Sequence, residues 1–558
     1  MPKKLSITIA GAVSLGSYES GVAFEILDAV SQHNAWAAQT NPDERIEIDV
    51  LTGASAGGMT AAMIAQRLLF DGAAMNQPYD NPLFNAWVRD VDITKLLTRD
   101  PKDEPATHSI FSSDAVIKIS QAYLTARYAG NPPAPPSPHP ALSTDGSLKL
   151  GLALSNLSGV DYRRPTVSGG SFIYTDHQDE LLCSLQTASS DRPELWETIR
   201  AAAVACGAFP FAFRAQDLSR NIADYPGEYL VKELWNGNPA RFFTYTDGGL
   251  FQNQPLGMAK NLVEQLPDGR VTALKRGYLF IAPQPKTSGQ IPFTTDPNAD
   301  SSHSFGSAVA NYKVVLLRIM ASMMGQAAFQ DWITAEDVND KLRLLDERAG
   351  ELQQLYGKGV LTAAQTQPVC SAILASFFQI EAELNAARNQ LRRQYASEYA
   401  GFGADSTTAS AWLDSVLVLE LAGQLHEKEE MLIYDFVADT TKLAGNGLEA
   451  FEGFFDVQYR KHDYDYGRTV AQQNLINYKA KGGIFADLHW TPKPIDPIDP
   501  NLDNVDMADV DEDKRKDVKS QIQCSADAFF EELGLNFAER KIVEVAFVDG
   551  QVKKLLSL

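Results

Sequence analysis

A serine in a glycine-rich turn is the residue of this sequence best placed to act as a nucleophile. Ser55 lies at the centre of Gly53-Ala-Ser-Ala-Gly57. Residues 46–50 alternate apolar and charged side chains, which predicts a strand, and the pattern of residues 59–69 predicts a helix. A G-x-S-x-G motif between a strand and a helix is typical of a nucleophile elbow, which exposes the serine Oγ beside a helix N-terminus. The alternative is a glycine- and serine-rich turn without chemistry.

A serine nucleophile needs a base, and Asp247 is the strongest candidate. It follows Phe242-Phe-Thr-Tyr-Thr246, a predicted strand, and precedes Gly248 and Gly249. Sites in open α/β sheets form at the carboxyl ends of strands, so we expect Asp247 to lie beside Ser55. A carboxylate is a weak base, but burial would raise its pKa toward neutrality. The alternative is an ordinary Asp-Gly turn.

The eight histidines offer no comparable base. A Ser-His-Asp triad of the hydrolase type would place its histidine after the serine in the chain. None of the histidines stands in a context that marks it as a triad partner. They are His33, His108, His139, His177, His303, His426, His462 and His489.

The turn at residues 11–16, which follows a predicted strand over residues 5–10, is the third candidate element. Glycines at a strand end let a loop direct its N–H groups at one point, as an oxyanion hole requires. The candidate donors are the backbone N–H groups of Gly11, Ala12, Val13, Ser14, Leu15 and Gly16. The same turn resembles the start of a phosphate-binding P-loop, but Ser17 stands where that loop needs its lysine.

Composition excludes several classes of function. The net charge of −22 over 558 residues disfavours nucleic acid, since neutralising phosphates requires clustered Lys and Arg. The four cysteines are far apart, and neither H-E-x-x-H nor an EF-hand loop occurs, so the sequence predicts no metal and no cofactor. No signal peptide and no run of ~18 apolar residues is seen, so we expect a cytoplasmic protein, with peripheral membrane contact left open.

The pattern of elements predicts two regions. Strands alternate with helices over residues 1–290, which indicates a mostly parallel sheet with crossover helices and a proline-rich loop at 131–140. Residues 300–558 are predicted to be mainly α-helical, with an acidic linker or loop at 492–513. Within this region we expect a Met-rich helix near 312–329 and helical structure over 409–440. Near the C-terminus, residues 519–534 are predicted to be helical, and 541–548 and 551–556 to be strand or helix.

These motifs, in this order, resemble those of patatin-like phospholipases. The turn at 11–16 looks like the bacterial patatin-related variant, and the elbow and Asp247-Gly-Gly-Leu-Phe-Gln-Asn-Gln-Pro255 follow it. The small-residue helix ending at Pro210 also fits. The resemblance covers about residues 5–285.

The first turn departs from the pattern of many family members. They have three consecutive glycines and a basic residue there, whereas this chain has Ala12, Val13 and Leu15.

The resemblance implies a Ser-Asp dyad without histidine. Ser55 would attack an ester carbonyl, Asp247 would take its proton, and N–H groups of the first turn and of Ala56 would hold the oxyanion. It also implies a patatin-like three-layer αβα sandwich and a phospholipid or other acyl-lipid substrate. The elbow and turn glycines would be Gly53, Gly57, Gly248 and Gly249. The alternatives are a soluble carboxylesterase or thioesterase on the same dyad, and a non-catalytic lipid-binding scaffold.

Two further expectations concern the C-terminal region. Residues 448–468 look like part of the helical extension of long bacterial patatin-related proteins, and Arg460, Asp463 and Arg468 could form an ion-pair cluster that docks it onto the first domain. A lipid enzyme must also reach a bilayer. This acidic chain would need a local apolar or basic surface for that purpose, and the sequence does not show one.

Overall fold

The computed structural model describes most of the chain. For 234 and 312–333 it describes the backbone alone. The described residues are 2–98, 109–129, 133–166, 169–210, 212–225, 227, 229–266, 275–283, 312–403, 405–426, 428, 430–446, 452–503, 505, 511–513, 515–517, 520–521, 524 and 528. The predicted elements at 519–534, 541–548 and 551–556 fall wholly or mostly outside these residues.

An eight-stranded sheet forms the centre of the first part of the chain. Its strands are β1 (Lys3–Ile9), β2 (Ile46–Gly53), β3 (Ser147–Pro165), β4 (Ser171–Gln186), β5 (Gln216–Asn221), β6 (Ala240–Asp247), β7 (Arg276–Ala282) and β8 (Ile433–Val437). The spatial order is β5-β6-β3-β2-β1-β7-β8, and β4 pairs with β3. Strands β3, β2, β1, β7 and β8 are parallel, whereas β4 and β6 run antiparallel to β3.

Helices cover the sheet and make up most of the later chain. They are α1 (Gly16–Thr40), α2 (Ala56–Phe70), α3 (Pro82–Phe84), α4 (Ile93–Leu97), α5 (Ser113–Ser120), α6 (Pro193–Cys206), α7 (Leu256–Glu264), α8 (Tyr312–Gly357), α9 (Ala363–Phe377), α10 (Glu381–Gln394), α11 (Ala396–Ala400), α12 (Ser406–Ala422) and α13 (Val457–Lys481). The predicted α/β class, with a mostly parallel sheet and a helical C-terminal region, is confirmed.

Strand alternation explains the layers of this fold. Thr8 and Thr52 hydrogen-bond to each other, and Thr52 also donates to the carbonyl of Pro255, directly before α7. The alternate side chains of β1 and β2 point to the opposite face, toward the layer that holds α1 and α2. Both faces of these strands are therefore buried, which suits the apolar runs that the sequence shows.

The compact units differ from the predicted domains 1–290 and 300–558. One unit combines Met1–Asp331 with Ile433–Leu558, and the other is Trp332–Leu432. Strand β8 extends the central sheet beside β7, so the helical expectation for 409–440 is wrong beyond Ala422, where α12 ends. A five-residue strand after a long helical stretch gives too short a periodic signal to be separated from helix.

Helix α13 returns to the first unit and packs along α1. A Cβ atom on Gly21 would lie 2.1 Å from the carbonyl oxygen of Tyr464, and one on Gly467 would lie 2.2 Å from that of Tyr18. The two glycines therefore allow the helix backbones to approach more closely than side chains would permit. This contact anchors the C-terminal segment to the helix that begins at the first glycine turn.

Candidate active site

The turn after β2 holds Ser55 in a strained backbone conformation. Ser55 has φ 51° and ψ −127°, a region that L-residues rarely adopt. A Cβ atom on Gly53 would lie 2.3 Å from the carbonyl oxygen of Gly57, and one on Gly57 would lie 2.3 Å from that of Ala10. Because backbone occupies this space, only glycine fits at both positions. The predicted nucleophile elbow is thus a sharp turn that the two glycines make feasible.

Asp247 reaches the elbow from an antiparallel strand. Strand β6 runs opposite to β3, and Asp247 pairs with Leu154 just beyond the level where β2 ends. The sequence analysis treated β6 as one of the parallel strands, whose carboxyl ends all meet at one edge of the sheet. That assumption is wrong, because β6 is antiparallel to β3. The residue still lies beside Ser55 because β6 belongs to the part of the sheet that projects past β2.

The backbone and side chain of Asp247 are held by several hydrogen bonds. Its N–H donates to the carbonyl of Ala208 (3.0 Å), and its carbonyl accepts from the Ser155 hydroxyl (2.7 Å). Its Oδ1 accepts from the N–H of Gly249 (2.7 Å), in the turn of Gly248–Leu250. A Cβ atom on Gly248 would lie 2.1 Å from the carbonyl oxygen of Ala153, so this turn also depends on glycine.

Ser55 and Asp247 form a direct hydrogen bond. The Ser55 Oγ donates to Oδ2 of Asp247 over 2.6 Å, and the two residues are 7% and 1% exposed. Burial raises the pKa of Asp247 to about 6, although the hydrogen bonds from Ser55 and Gly249 oppose the shift. The pair therefore has a carboxylate near the serine proton, with a pKa close to neutrality.

Three N–H groups of the first turn already have acceptors. That of Gly11 donates to the carbonyl of Asn253 (3.1 Å), and that of Leu15 donates to Ala12 (2.9 Å). The N–H of Gly16 bonds within the short 3-10 turn that precedes α1. These groups maintain the shape of the turn, so the set of predicted oxyanion donors is smaller than the sequence suggests.

The remaining candidate donors cluster near the serine. In the part of the chain that the structure describes, the N–H groups of Ala12, Val13 and Ala56 have no hydrogen-bond acceptor. Val13, Ser55 and Ala56 line one pocket. Val13 has φ 51°, which is costly for a β-branched residue and easy for glycine. The valine thus retains a backbone conformation that a glycine would adopt freely. Ser14 packs against Gly453.

The Ser55 side chain opens into an apolar pocket. The pocket is partly open to solvent. Apart from Ser55 and Gly207, every lining side chain is apolar; the others are Val13, Ala56, Met59, Met63, Ala86, Trp87, Val91, Leu96, Val116, Ile119, Ala203, Val204, Phe209, Phe213 and Phe454. The Trp87 Nε1–H donates to the hydroxyl of Thr60, so its polar atom is satisfied away from the cavity. Such a pocket suits an acyl chain.

Residues 7–260 match the family model of patatin-like phospholipases. These residues belong to the patatin-like phospholipase family. The match supports a hydrolase domain that acts on acyl lipids.

Two relatives lack a characterised function. An uncharacterized membrane protein of Mycobacterium tuberculosis, Rv3479, is 25% identical over 71% of this chain and 39% of its own. The uncharacterized protein y4iI of Sinorhizobium fredii is 23% identical over 51% and 49%. The chain thus spans less than half the length of either relative.

One wall of the pocket lies outside the patatin-like range. Phe454 is held there by Arg460 of α13, which is 1% exposed. The Arg460 guanidinium donates to the carbonyls of Gly453 (3.0 Å), Phe454 (2.9 Å) and Val88 (2.9 Å), and to Oδ2 of Asp92 (3.1 Å). Arg460 therefore joins residues 88–92 to residues 453–454. These two segments are far apart in the sequence, and both contribute to the pocket wall. The sequence marked this arginine as a docking residue but gave no signal of its partners.

The predicted ion-pair cluster is instead a set of separate contacts. Arg468 pairs with Glu25 of α1 over 2.7 Å, and Arg460 pairs with Asp92. Asp463 contacts neither arginine. Its carboxylate accepts from the N–H groups of Ala444 and Gly445 and contacts His462. The region does dock onto the first part of the chain, but by independent contacts.

Three further observations bear on the sequence expectations. Ser55 and Asp247 bond to no histidine within the described ranges. There, no three His, Cys, Asp or Glu side chains are grouped to hold a metal. Across those same ranges, every helix is too short or too polar to cross a bilayer.

Proposed function

We propose that this chain is a lipid acyl hydrolase of the phospholipase A type, acting through Ser55 and Asp247. The observation that carries the proposal is the buried 2.6 Å hydrogen bond between the two side chains, at the end of an apolar pocket. Membership of the matched residues in the patatin-like family supports the same chemistry. A soluble esterase or thioesterase and a non-catalytic scaffold are the outcomes that the experiments below separate from it.

The reaction proceeds in two balanced steps. Ser55 Oγ forms a bond to the ester carbonyl carbon while Asp247 takes its proton, and the alcohol leaves with that proton. This gives an acyl-serine ester. Water then attacks the acyl carbon, Asp247 accepts the water proton and returns it to Ser55, and the fatty acid is released. One carboxylate with a pKa of about 6 thus serves as base and acid in turn.

The negative charge of each tetrahedral intermediate needs hydrogen-bond donors. We assign this role to the N–H groups of Ala12, Val13 and Ala56. Ala56 begins helix α2, so the positive end of the helix dipole adds to its N–H group. Of the remaining predicted donors, the N–H of Gly11 bonds to Asn253, those of Leu15 and Gly16 bond within the turn, and Ser14 packs against Gly453.

A fluorophosphonate probe tests the nucleophile directly. The wild-type chain is expected to be labelled covalently, and Ser55→Ala is expected to remain unlabelled, as measured by intact-protein mass spectrometry. Ser6→Ala is the matched control, because Ser6 is also buried in the sheet, on β1. An unlabelled wild type would contradict the proposal and favour a scaffold. Labelling of Ser55 with hydrolysis of short soluble esters but not of phospholipids would favour the esterase alternative.

The acyl pocket is tested by filling it. Val116 of α5 lines the pocket and is half-buried, so Val116→Trp should shorten the cavity without unfolding the chain. We expect kcat/KM for long-chain esters to fall on the order of ten-fold or more, with little change for short esters, because excluded methylene groups lose their burial. Hydrolysis of an ester series of increasing chain length measures the effect.

Lys118→Trp is the control for this substitution. Lys118 is exposed on the same helix and does not line the pocket, so the same bulky side chain is placed outside it. An unchanged chain-length profile in Val116→Trp would show that the acyl chain binds elsewhere.

A further inference from the structure

The β3–β4 hairpin projects from the edge of the sheet that bears Ser55. Strand β2 ends at Gly53, which pairs with Leu152 of β3, and the elbow follows at once. Strand β3 continues to Pro165, paired throughout its last six residues with β4. Those residues alone add about 20 Å of strand. The end of the hairpin therefore reaches well past the catalytic edge, on the same side of the molecule.

Exposed apolar side chains concentrate on the hairpin and on the neighbouring strand β6. Among the described residues of the first unit, seven large apolar side chains are exposed, and five of them lie on β3, β4 and β6. The five are Leu157, Phe172, Ile173, Leu182 and Phe242. Phe172 and Ile173 are each 54% exposed near the end of the hairpin. Phe242 is 73% exposed on β6, which runs back from the same projecting end. Such a grouping marks an interaction surface.

Basic side chains accompany the apolar ones. Arg164 pairs with Phe172 across the hairpin, and Arg163 pairs with Ile173. Because cross-strand partners share a face, each face of the hairpin end carries one arginine beside one large apolar residue. We call these four residues the hairpin tip. The Arg164 guanidinium lies 4.5 Å from the ring centroid of Tyr229, which holds this cation in place.

The charge of the tip differs from that of the chain. The whole sequence carries a net charge of −22 and would be repelled by an anionic bilayer. Arg163 lies 3.5 Å from the carboxylate of Glu233. Arg164 has no ion-pair partner among the described residues, so it gives the tip a local positive charge beside exposed apolar side chains. Arginine stems pack on apolar surface while the guanidinium reaches the headgroup layer, so this combination suits the boundary of a bilayer.

We propose that the hairpin tip inserts into an anionic lipid surface and brings the Ser55 pocket to the bilayer. This inference rests on the proposed function, since it supplies the approach of a lipid substrate to the same site. Phe172 and Ile173 enter the acyl boundary, and Arg164 contacts lipid phosphates. The competing hypothesis is that two copies of the chain pair through the hairpin tip.

Vesicle flotation tests the proposal with the full-length Ser55→Ala chain, in which lipid is not consumed. The probe is a vesicle of phosphatidylglycerol and phosphatidylcholine in equal parts. We expect binding that drops on the order of ten-fold when Phe172→Ser and Ile173→Ser are combined. Leu182→Ser is the matched control, because Leu182 is 42% exposed on the same strand but pairs with Gly151 at the base of the hairpin. Arg164→Gln should reduce binding to anionic vesicles more than to pure phosphatidylcholine.

The outcomes separate this inference from the proposed function. If the parent chain fails to float, or the tip variant floats as well as the Leu182→Ser control, the inference is overturned. A tip-dependent dimer in light scattering, without vesicle binding, would also overturn it. The tip substitutions are also placed in the Ser55-intact chain. There, fluorophosphonate labelling and short-ester hydrolysis should be unchanged, whereas failure of the proposed function would abolish both in the wild type.

Discussion

Replacing Asp247 with asparagine is expected to lower kcat/KM for ester hydrolysis by about 10²–10⁴-fold. Asparagine is nearly the same size and can still accept the N–H of Gly249, so the turn should persist. It cannot take the Ser55 proton that now lies 2.6 Å from the carboxylate oxygen. Steady-state hydrolysis of a soluble ester measures the loss, and fluorophosphonate labelling should slow in parallel.

The pH profile provides an independent test of this base. Wild-type kcat/KM should fall as pH drops below the Asp247 pKa of about 6, because the protonated carboxyl cannot accept a proton. Asp161→Asn is the control, since Asp161 lies on β3 and contacts Thr175 rather than Ser55. A loss of less than about ten-fold in Asp247→Asn would place the general base elsewhere.

Relative to the wild type, Asp247→Asn should become more stable as pH rises, although it loses activity. The native pKa of Asp247 is about 6, above the unfolded value near 3.9, so the native state holds the proton between these pH values. Stability contributed by this group is present below about pH 4 and is lost as pH rises through 6. By pH 7 the loss amounts to about 2–3 kcal/mol, and asparagine avoids it. Denaturant titrations of both proteins at pH 4 and pH 7 measure the difference.

The sequence predicted the proximity of Ser55 and Asp247 because local rules largely determine the two turns that hold them. Gly53 and Gly57 must be glycine because backbone oxygens near the elbow and after the adjacent strand leave no room for a Cβ atom. The G-x-S-x-G motif reflects this steric requirement. Asp247 was found for a partly wrong reason, since its strand is antiparallel. An apolar run followed by Asp-Gly-Gly indicates where a strand ends but not its direction, which depends on pairing with β3.

The glycine turn at 11–16 and the pocket wall depend on contacts that the sequence does not encode locally. Whether Gly11 donates to solvent or to Asn253 is decided by a loop more than two hundred residues away. Phe454 lines the pocket from a segment held by Arg460 of α13, a helix that packs on α1. Arg460 and Arg468 were recognisable as buried-pair candidates, but their partners could be identified only from the packed structure.

Arg468→Met is expected to lower the free energy of unfolding by about 3–5 kcal/mol. Arg468 and Glu25 are both fully buried, with a 2.7 Å contact, and removing the arginine leaves the carboxylate without its charge partner. Burial already raises the pKa of Glu25, and Arg468 opposes that shift. Without Arg468, the Glu25 carboxyl should therefore stay protonated up to a higher pH than in the wild type. Arg468 also donates to the carbonyls of Lys493 and Pro494, which tie the following segment to α13. Thermal or denaturant unfolding measures the change.

Two companion variants distinguish the buried pair from general damage to α13. Lys481→Met removes an exposed cation from the same helix and should cost less than about 1 kcal/mol. Combining Glu25→Gln with Arg468→Met should destabilise less than Arg468→Met alone, because no uncompensated charge remains. If the double variant is as unstable as the single one, packing rather than charge dominates. Arg460 on the same helix holds Phe454 in the pocket wall. Arg468→Met should therefore reduce the hydrolysis of long-chain esters more than that of short-chain esters.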